Sequence, residues 1–167
     1  MSGRSPRTEP PDDIAIESAE PDDRLDILRV LDAAMLETDP EVVDAAIDAG
    51  DALVARFTRT DAVVGALVAT RPEPGRRHVD AVAVRRARRG RGIGSALVAA
   101  AVRRAERDAA VAVVTAAFDA DLRTFYAELG FAVRPAKHPT ERGDADVTGA
   151  ADEDRLWGRL KVDGSPS

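Results

Sequence analysis

Three glycines at alternate positions and five arginines crowd into one stretch, Arg85-Arg86-Ala87-Arg88-Arg89-Gly90-Arg91-Gly92-Ile93-Gly94-Ser95. Those residue types suit an anion. A glycine lets the backbone take positive φ and brings N–H groups close to phosphate oxygens, where a Cβ would block the approach. Arg88, Arg89 and Arg91 can add charge-assisted hydrogen bonds, forked where geometry allows. The stretch follows the apolar run Ala81-Val82-Ala83-Val84 and precedes an alanine-rich periodic pattern, so it reads as strand, cradle, helix. The first turn of such a helix has N–H groups without intrahelical partners and carries the positive end of the macrodipole, which attracts phosphate.

Spacing narrows the ligand. A Walker A loop needs G-x-x-x-x-G-K-[ST], and no lysine precedes Lys137. A dinucleotide fingerprint needs G-x-G-x-x-G with an acid on a second strand, whereas the glycines here fall as G-x-G-x-G without that acid. Charge supports the cradle: Arg71 to Arg107 contains eleven arginines against Glu73, Asp80 and Glu106, while the whole chain carries −6. A solvated arginine surface would not need interleaved glycines. Nucleic acid is disfavoured, because no aromatic residue lies between Phe57 and Phe118 to stack bases.

Arg89-Gly90-Arg91-Gly92-Ile93-Gly94 resembles the [QR]-x-x-G-x-[GA] signature of the GNAT superfamily of N-acetyltransferases. Phe125-Tyr126-Ala127-Glu128-Leu129-Gly130-Phe131 is similar to the family's late helix and following strand, often written F-Y-x-x-L-G-F. One helix and one strand separate the two motifs, as the resemblance requires. It implies a mixed α/β, GNAT-like fold: a mostly antiparallel central sheet flanked by helices, whose two central parallel strands splay around the pantetheine arm of acetyl-CoA. The pyrophosphate would sit on the glycine loop.

The implied reaction is attack of an amine on the thioester carbonyl, which needs a neutral amine, donors for an oxyanion and a proton for the departing sulfur. By resemblance, Val82, Ala83 and Val84 would line the cofactor's arm, and Arg89, Gly90, Arg91, Gly92, Ile93, Gly94 and Ser95 its phosphates. Tyr126 takes the general-acid position, where a hydroxyl with an ordinary pKa of about 10 stays protonated. His78 falls near the place of the family's glutamate base, and Asp80 shares its face of the strand. Asp119 stands where many relatives carry a cofactor-contacting asparagine. An aspartate can accept a hydrogen bond there but not donate one, and capping the next helix is its competing role. A non-catalytic acyl-CoA-binding module is the alternative function.

The elements that must position these residues follow from periodicity. Residues 1–12, rich in proline and poor in apolar content, are expected as a disordered tail, and residues 163–167 likewise, leaving one domain over 13–162. Asp13 to Ser18 reads as a strand. Pro21-Asp22-Asp23 opens a helix with Leu25, Leu28, Leu31 and Met35 as its expected buried stripe. Asp39-Pro40-Glu41 opens a second, with Val43, Ala46 and Ile47 inside and Gly50 as its stop. A hairpin joins 52–58 to 62–70, a turn follows over 71–75, and Arg77 to Val84 leads into the cradle. The cradle helix runs from Gly94 to about Asp108, and Val111 to Ala116 reads as a doubly buried strand. Asp119 or Asp121 would cap the Tyr126 helix, and Phe131 to Arg134 forms a strand. Residues 135–153 read as a charged loop, and Arg155 to Val162 alternates as a strand with one wet face.

No cysteine is present, which excludes disulfides, thiol catalysis and cysteine metal sites, and two distant histidines support no metal. With no long apolar run, a membrane partner is excluded from the expectation and a cytoplasmic location is the default. The expected partners are acetyl-CoA and an amine acceptor, with a homodimer left open. Arginine outnumbers lysine 22 to 2 and aspartate outnumbers glutamate 20 to 10, a bias that fits a GC-rich genome or a high-salt cytoplasm. A stability curve flat from low to molar salt would sink the second explanation.

Overall fold

The computed structural model describes residues 10–36, 38–135 and 155–162. Its elements are β1 (Ile14–Ser18), α1 (Arg24–Ala33), α2 (Pro40–Ala49), β2 (Ala52–Phe57), β3 (Ala62–Glu73), β4 (Arg76–Val84), α3 (Ile93–Glu106), β5 (Val113–Asp119), α4 (Arg123–Glu128), β6 (Ala132–Pro135) and β7 (Arg155–Lys161). The order is the one periodicity predicts. The seven strands form one sheet in the order β1-β2-β3-β4-β5-β7-β6. Among its neighbours β4 and β5 alone run parallel, joined by the α3 crossover.

Each face of the sheet buries its own core. Ile27, Val30 and Leu31 of α1 and Val43, Ala46 and Ile47 of α2 pack on Val54, Val68, Ala81 and Ala83. Leu97 and Val98 of α3 and Tyr126 of α4 pack on the other face, against Leu53, Leu67, Val114 and Phe118. Leu97 is fully buried, and truncating such a leucine to alanine costs about 2–5 kcal/mol. The two cores clamp β4 between them, which fixes the strand that leads into the cradle, whereas β5 gives residues only to the α3–α4 core, so it is not the doubly buried strand expected from its apolar run.

Three further expectations need correction. The buried stripe of α1 is Ile27, Val30 and Leu31, while Leu25 and Met35 are exposed, Met35 at 86%. The cause is local: Pro21–Asp23 forms a 3-10 turn before the helix, closed by a hydrogen bond from Glu20 N–H to Asp23 Oδ2 (2.9 Å). Asp23 is also held by Arg56 of β2 at 3.1 Å, which sets the helix's rotation. Met35 lies past the helix end with φ 64°. Next, the turn expected over 71–75 is shorter, because β3 continues to Glu73, paired with Arg76, and only Pro74 and Gly75 turn. Its prolines fall where the ladder is already irregular, so no regular hydrogen bond is lost. Finally, the residue at the N-cap of α4 is Leu122, with no side-chain cap. Asp119 ends β5 and a 3-10 turn, Ala120–Leu122, intervenes. The tail residues 1–9 and 163–167, and all but the first residue of the 135–153 loop, lie outside the described residues.

Candidate active site

The site is built where β4 leaves β5. Their ladder runs from Arg76↔Val113 to Val79↔Ala116 and stops. Beyond it β4 continues through Asp80–Val84 and β5 through Ala117–Asp119 without pairing to each other. The register with β3 slips at the same point: Ala69 faces Val79 and Val68 faces Ala81, so Asp80 has no cross-strand partner. This bulge reverses the strand's alternation. Val79 belongs to the α3 core, yet Ala81 and Ala83 belong to the α1–α2 core, while Val82 and Val84 turn towards α3.

The bulge also sets where the backbone points. Arg85 N–H donates to Val64 O across the β3 ladder (2.8 Å). By alternation the N–H and C=O groups of Val82 and Val84 face the opposite, unpaired edge. They line the open wedge between β4 and β5. Arg89 Nε already donates to Val84 O at 3.1 Å, which ties the cradle's arginine to that edge.

The cradle fits a phosphate. Gly90 and Gly92 take φ 80° and 84°, and Gly92 is the N-cap of α3 with no side-chain cap. The first-turn N–H groups of Ile93, Gly94 and Ser95 therefore face outward without a capping side chain. A Cβ on Gly90 would meet nothing within 4 Å, and one on Gly94 would only touch Val84 Cγ2 at 3.9 Å. The φ of Gly90 alone favours glycine there, whereas at Gly94 neither packing nor backbone conformation demands it and a ligand pressed against the backbone would. Within the cradle positive φ occurs at Gly90 and Gly92, and Gly94 is helical. The arginines divide their work. Arg88 lies over the ring of Phe57, 4.1 Å from its centroid. Arg85 donates through Nε to Val63 O (3.2 Å), and Arg91 lies 3.9 Å from Asp13. Arg89 keeps its terminal nitrogens, and Arg86 is exposed.

His78 sits at the closed end, opposite Thr115. Its Nδ1 is 2.8 Å from Thr115 Oγ1, and its ring stacks on Trp157 with centroids 5.4 Å apart. Burial first, and then the neighbouring Arg76 guanidinium, hold the imidazole below the ordinary histidine range, against a smaller opposing pull from Asp80. It is neutral at pH 7. Asp80 is exposed at the bulge.

Tyr126 is 3% exposed. Its ring stacks on Phe118 at 3.9 Å and meets Phe125 and Phe131 edge-on at 4.7 and 5.3 Å. Gly158 makes room for this cluster, since a Cβ there would lie 3.0 Å from Phe118 and 3.2 Å from Phe131. At the α1–α2 connection an open depression of about 710 Å³ is lined by Leu28, Leu31 and Leu36, with Arg29, Asp32 and Asp39 on its rim. Sequence reasoning missed Thr115 and Trp157 as partners of His78. Trp157 was visible on the wet face of its strand, but the β4–β5–β7 register that joins the three was not.

No cluster of residues suited to a metal occurs among the described residues. No helix there is long and apolar enough to cross a membrane.

Residues 19–131 match the family model described as the acetyltransferase (GNAT) family. No curated protein matches the chain. Among solved structures, the chain is similar to yncA of Salmonella typhimurium, a putative acetyltransferase solved with its cofactor acetyl-CoA. That pair is 20% identical with a TM-score of 0.71, covering 93% of this chain and 98% of that one. Ard1 of Thermoplasma volcanium is 18% identical, with a TM-score of 0.67 over 90% and 98% of the two chains. A putative GNAT acetyltransferase of Desulfovibrio desulfuricans is 23% identical, with a TM-score of 0.66 over 89% and 99%. With its family model spanning the cradle and both motifs, the chain belongs to the GNAT acetyltransferase family and is an N-acetyltransferase.

Proposed function

We propose that this chain moves an acetyl group from acetyl-CoA to a primary amine by direct attack, with Tyr126 as general acid. One observation carries the reading: the Asp80 bulge, the parting of β4 from β5 and the uncapped N-terminus of α3 all meet at one end of β4. The similarity to an acetyltransferase solved with acetyl-CoA supports the choice of donor.

Acetyl-CoA would supply the thioester, whose C–S bond breaks as the amine's C–N bond forms. The chain's residues do the rest. N–H groups of Ile93, Gly94 and Ser95, with the terminal nitrogens of Arg89, would hold the pyrophosphate. Backbone groups of Val82 and Val84, with Ala83 between them, would orient the pantetheine arm, and Asp119 lies at the end of the facing strand. An N–H of β4 beside the bulge would face the thioester oxygen, preorganised before reaction. His78, neutral and fixed by Thr115, or Asp80 at the bulge would accept the amine's proton, directly or through water. The Tyr126 hydroxyl would return a proton to the sulfur.

Tyr126→Phe keeps the stacked ring and removes only the hydroxyl. The expected result is a loss in kcat of about a hundredfold, within the usual range for general acid catalysis, with acetyl-CoA affinity unchanged by calorimetry. An unchanged kcat would reduce Tyr126 to a core aromatic.

A further inference from the structure

The face of β7 and β5 away from α3 and α4 is basic. Trp157, Arg159 and Lys161 alternate on it, since Gly158 between them points into the Phe118 and Phe131 cluster. Arg134 of β6 lies opposite Trp157, and cross-strand partners share a face. His78 and Arg76 complete it from β4: His78 stacks on Trp157, and the Arg76 guanidinium lies 5.5 Å from the Trp157 ring centroid. Arg134, Arg159 and Lys161 are exposed, and none forms an ion pair among the described residues. Arg76 forms an ion pair with Glu73 at 3.5 Å.

Three cations without an ion pair among the described residues, Arg134, Arg159 and Lys161, thus share one face with the half-buried Trp157, and Arg76, paired with Glu73, lies over its ring, in a chain of net charge −6. Other arginines of the sheet are neutralised: Arg56 by Glu17 and Asp23, Arg71 by Asp51, Arg77 by Asp51 and Asp108. The exception adjoins the wedge, because Trp157 pairs with Ala117, the first residue of β5 beyond its ladder with β4. The α1–α2 connection is acidic by contrast, with Arg29, which pairs with Asp26 at 3.9 Å, against Asp32 and Asp39.

We infer that the acceptor is an amine that also carries a carboxylate or another anion, held on Trp157 by Arg134, Arg159 and Arg76. This rests on the acetyltransferase reading above. An anion here would form charge-assisted hydrogen bonds to guanidinium groups, while the amine-bearing carbon chain lies on the indole towards the wedge. A polycationic amine would meet only repulsion. The anionic amine is either a free amino acid or the N-terminus of an acidic peptide.

Trp157 is the chain's one tryptophan, so its fluorescence reports occupancy of this face. The full chain, with and without saturating CoA, is titrated with L-aspartate, β-alanine and a tetra-aspartate peptide, against propylamine and spermidine. The expected result is a saturable change with an anionic amine, absent with propylamine, and weakened at least about tenfold in an Arg134→Gln, Arg159→Gln double variant. Response to aspartate or β-alanine alone identifies a small acceptor, and response to the peptide alone an acidic protein terminus. An equal response to propylamine or spermidine, no response to any anionic amine, or indifference to the double substitution would overturn the inference. Calorimetry with CoA separates the two claims: failure of CoA to bind wild type counts against the acetyltransferase reading, and the CoA-free titration still decides the anion site.

Discussion

The two halves of β4 are made from the same strand and do opposite things. From Arg76 to Val79 the strand is zipped to β5, and its polar side chains find partners within the protein, although the buried Nε atoms of Arg76 and Arg77 have none among the described residues. Arg77 reaches Asp51 at 3.2 Å and Asp108 at 3.1 Å, and His78 meets Thr115 at 2.8 Å. From Asp80 to Val84 the side chains are mostly small or apolar, the β5 edge is unpaired and the polar groups on offer are backbone. A half whose side chains satisfy one another closes. A half that presents main-chain groups, one residue out of register, stays available to a ligand. The bulge at Asp80 is the boundary.

Breaking the closed half should cost the most stability. Asp51 is 7% exposed and sits between Arg71 and Arg77. Asp51→Asn leaves the Arg77 guanidinium with only Asp108, and losing one partner of a buried ion pair costs about 3–5 kcal/mol. The midpoint of chemical denaturation should fall accordingly, while acetyl-CoA affinity of the folded protein holds. A parallel fall in affinity would mean that the halves are not separable. In the open half, Gly92→Val places a β-branched residue at φ 84°, a strain of about 1–3 kcal/mol. It should weaken acetyl-CoA binding in calorimetry by at least about tenfold, since the first turn of α3 must shift.

Gly94→Ala sharpens the contrast. The site has room for the methyl, with Val84 Cγ2 at 3.9 Å, and the backbone is helical. Replacing glycine by alanine in a helix gains up to about 1 kcal/mol. The melting temperature should rise by a few degrees while acetyl-CoA binds more weakly, because the methyl stands over the N–H groups. A rise in stability with unchanged affinity would remove Gly94 from the cradle.

The closed half and the open half were not equally legible. The cradle could be read because its chemistry is local: glycines, arginines and a helix start within eleven residues. Val43, Ala46 and Ile47 of α2 could be read because Asp39, Pro40 and Gly50 fix where that helix begins and ends. The rotation of α1 could not, because it depends on Asp23 meeting Arg56, 33 residues away. His78 was visible as a titratable group on the right strand, but not its partners. Thr115 and Trp157 reach it only through a parallel crossover and a further antiparallel pairing, and no local pattern encodes that register. Arg88 illustrates the same limit: it belongs to the basic run by sequence, yet its charge rests on Phe57 of β2.

The smallest expected effect tests His78 itself. Its pKa is lowered in the folded state by burial and by Arg76, while in the unfolded chain it titrates near 6.5. Between the folded value and 6.5 the unfolded state therefore binds more protons, so stability rises with pH through that window. The contribution is complete above about pH 6.5 and is lost progressively as pH falls towards the folded pKa. His78→Gln cannot titrate and keeps a polar group for Thr115. Chemical denaturation of wild type and variant from pH 7.5 down to 5 should give curves that run parallel above 6.5 and diverge below it, the variant losing less. The same substitution should flatten the acid limb of kcat/KM if the imidazole accepts the amine's proton, and leave that limb in place if Asp80 does. A variant whose stability tracks wild type across the window would mean that the His78 ring is not desolvated in solution, and that the zipped end of β4 opens as readily as the other.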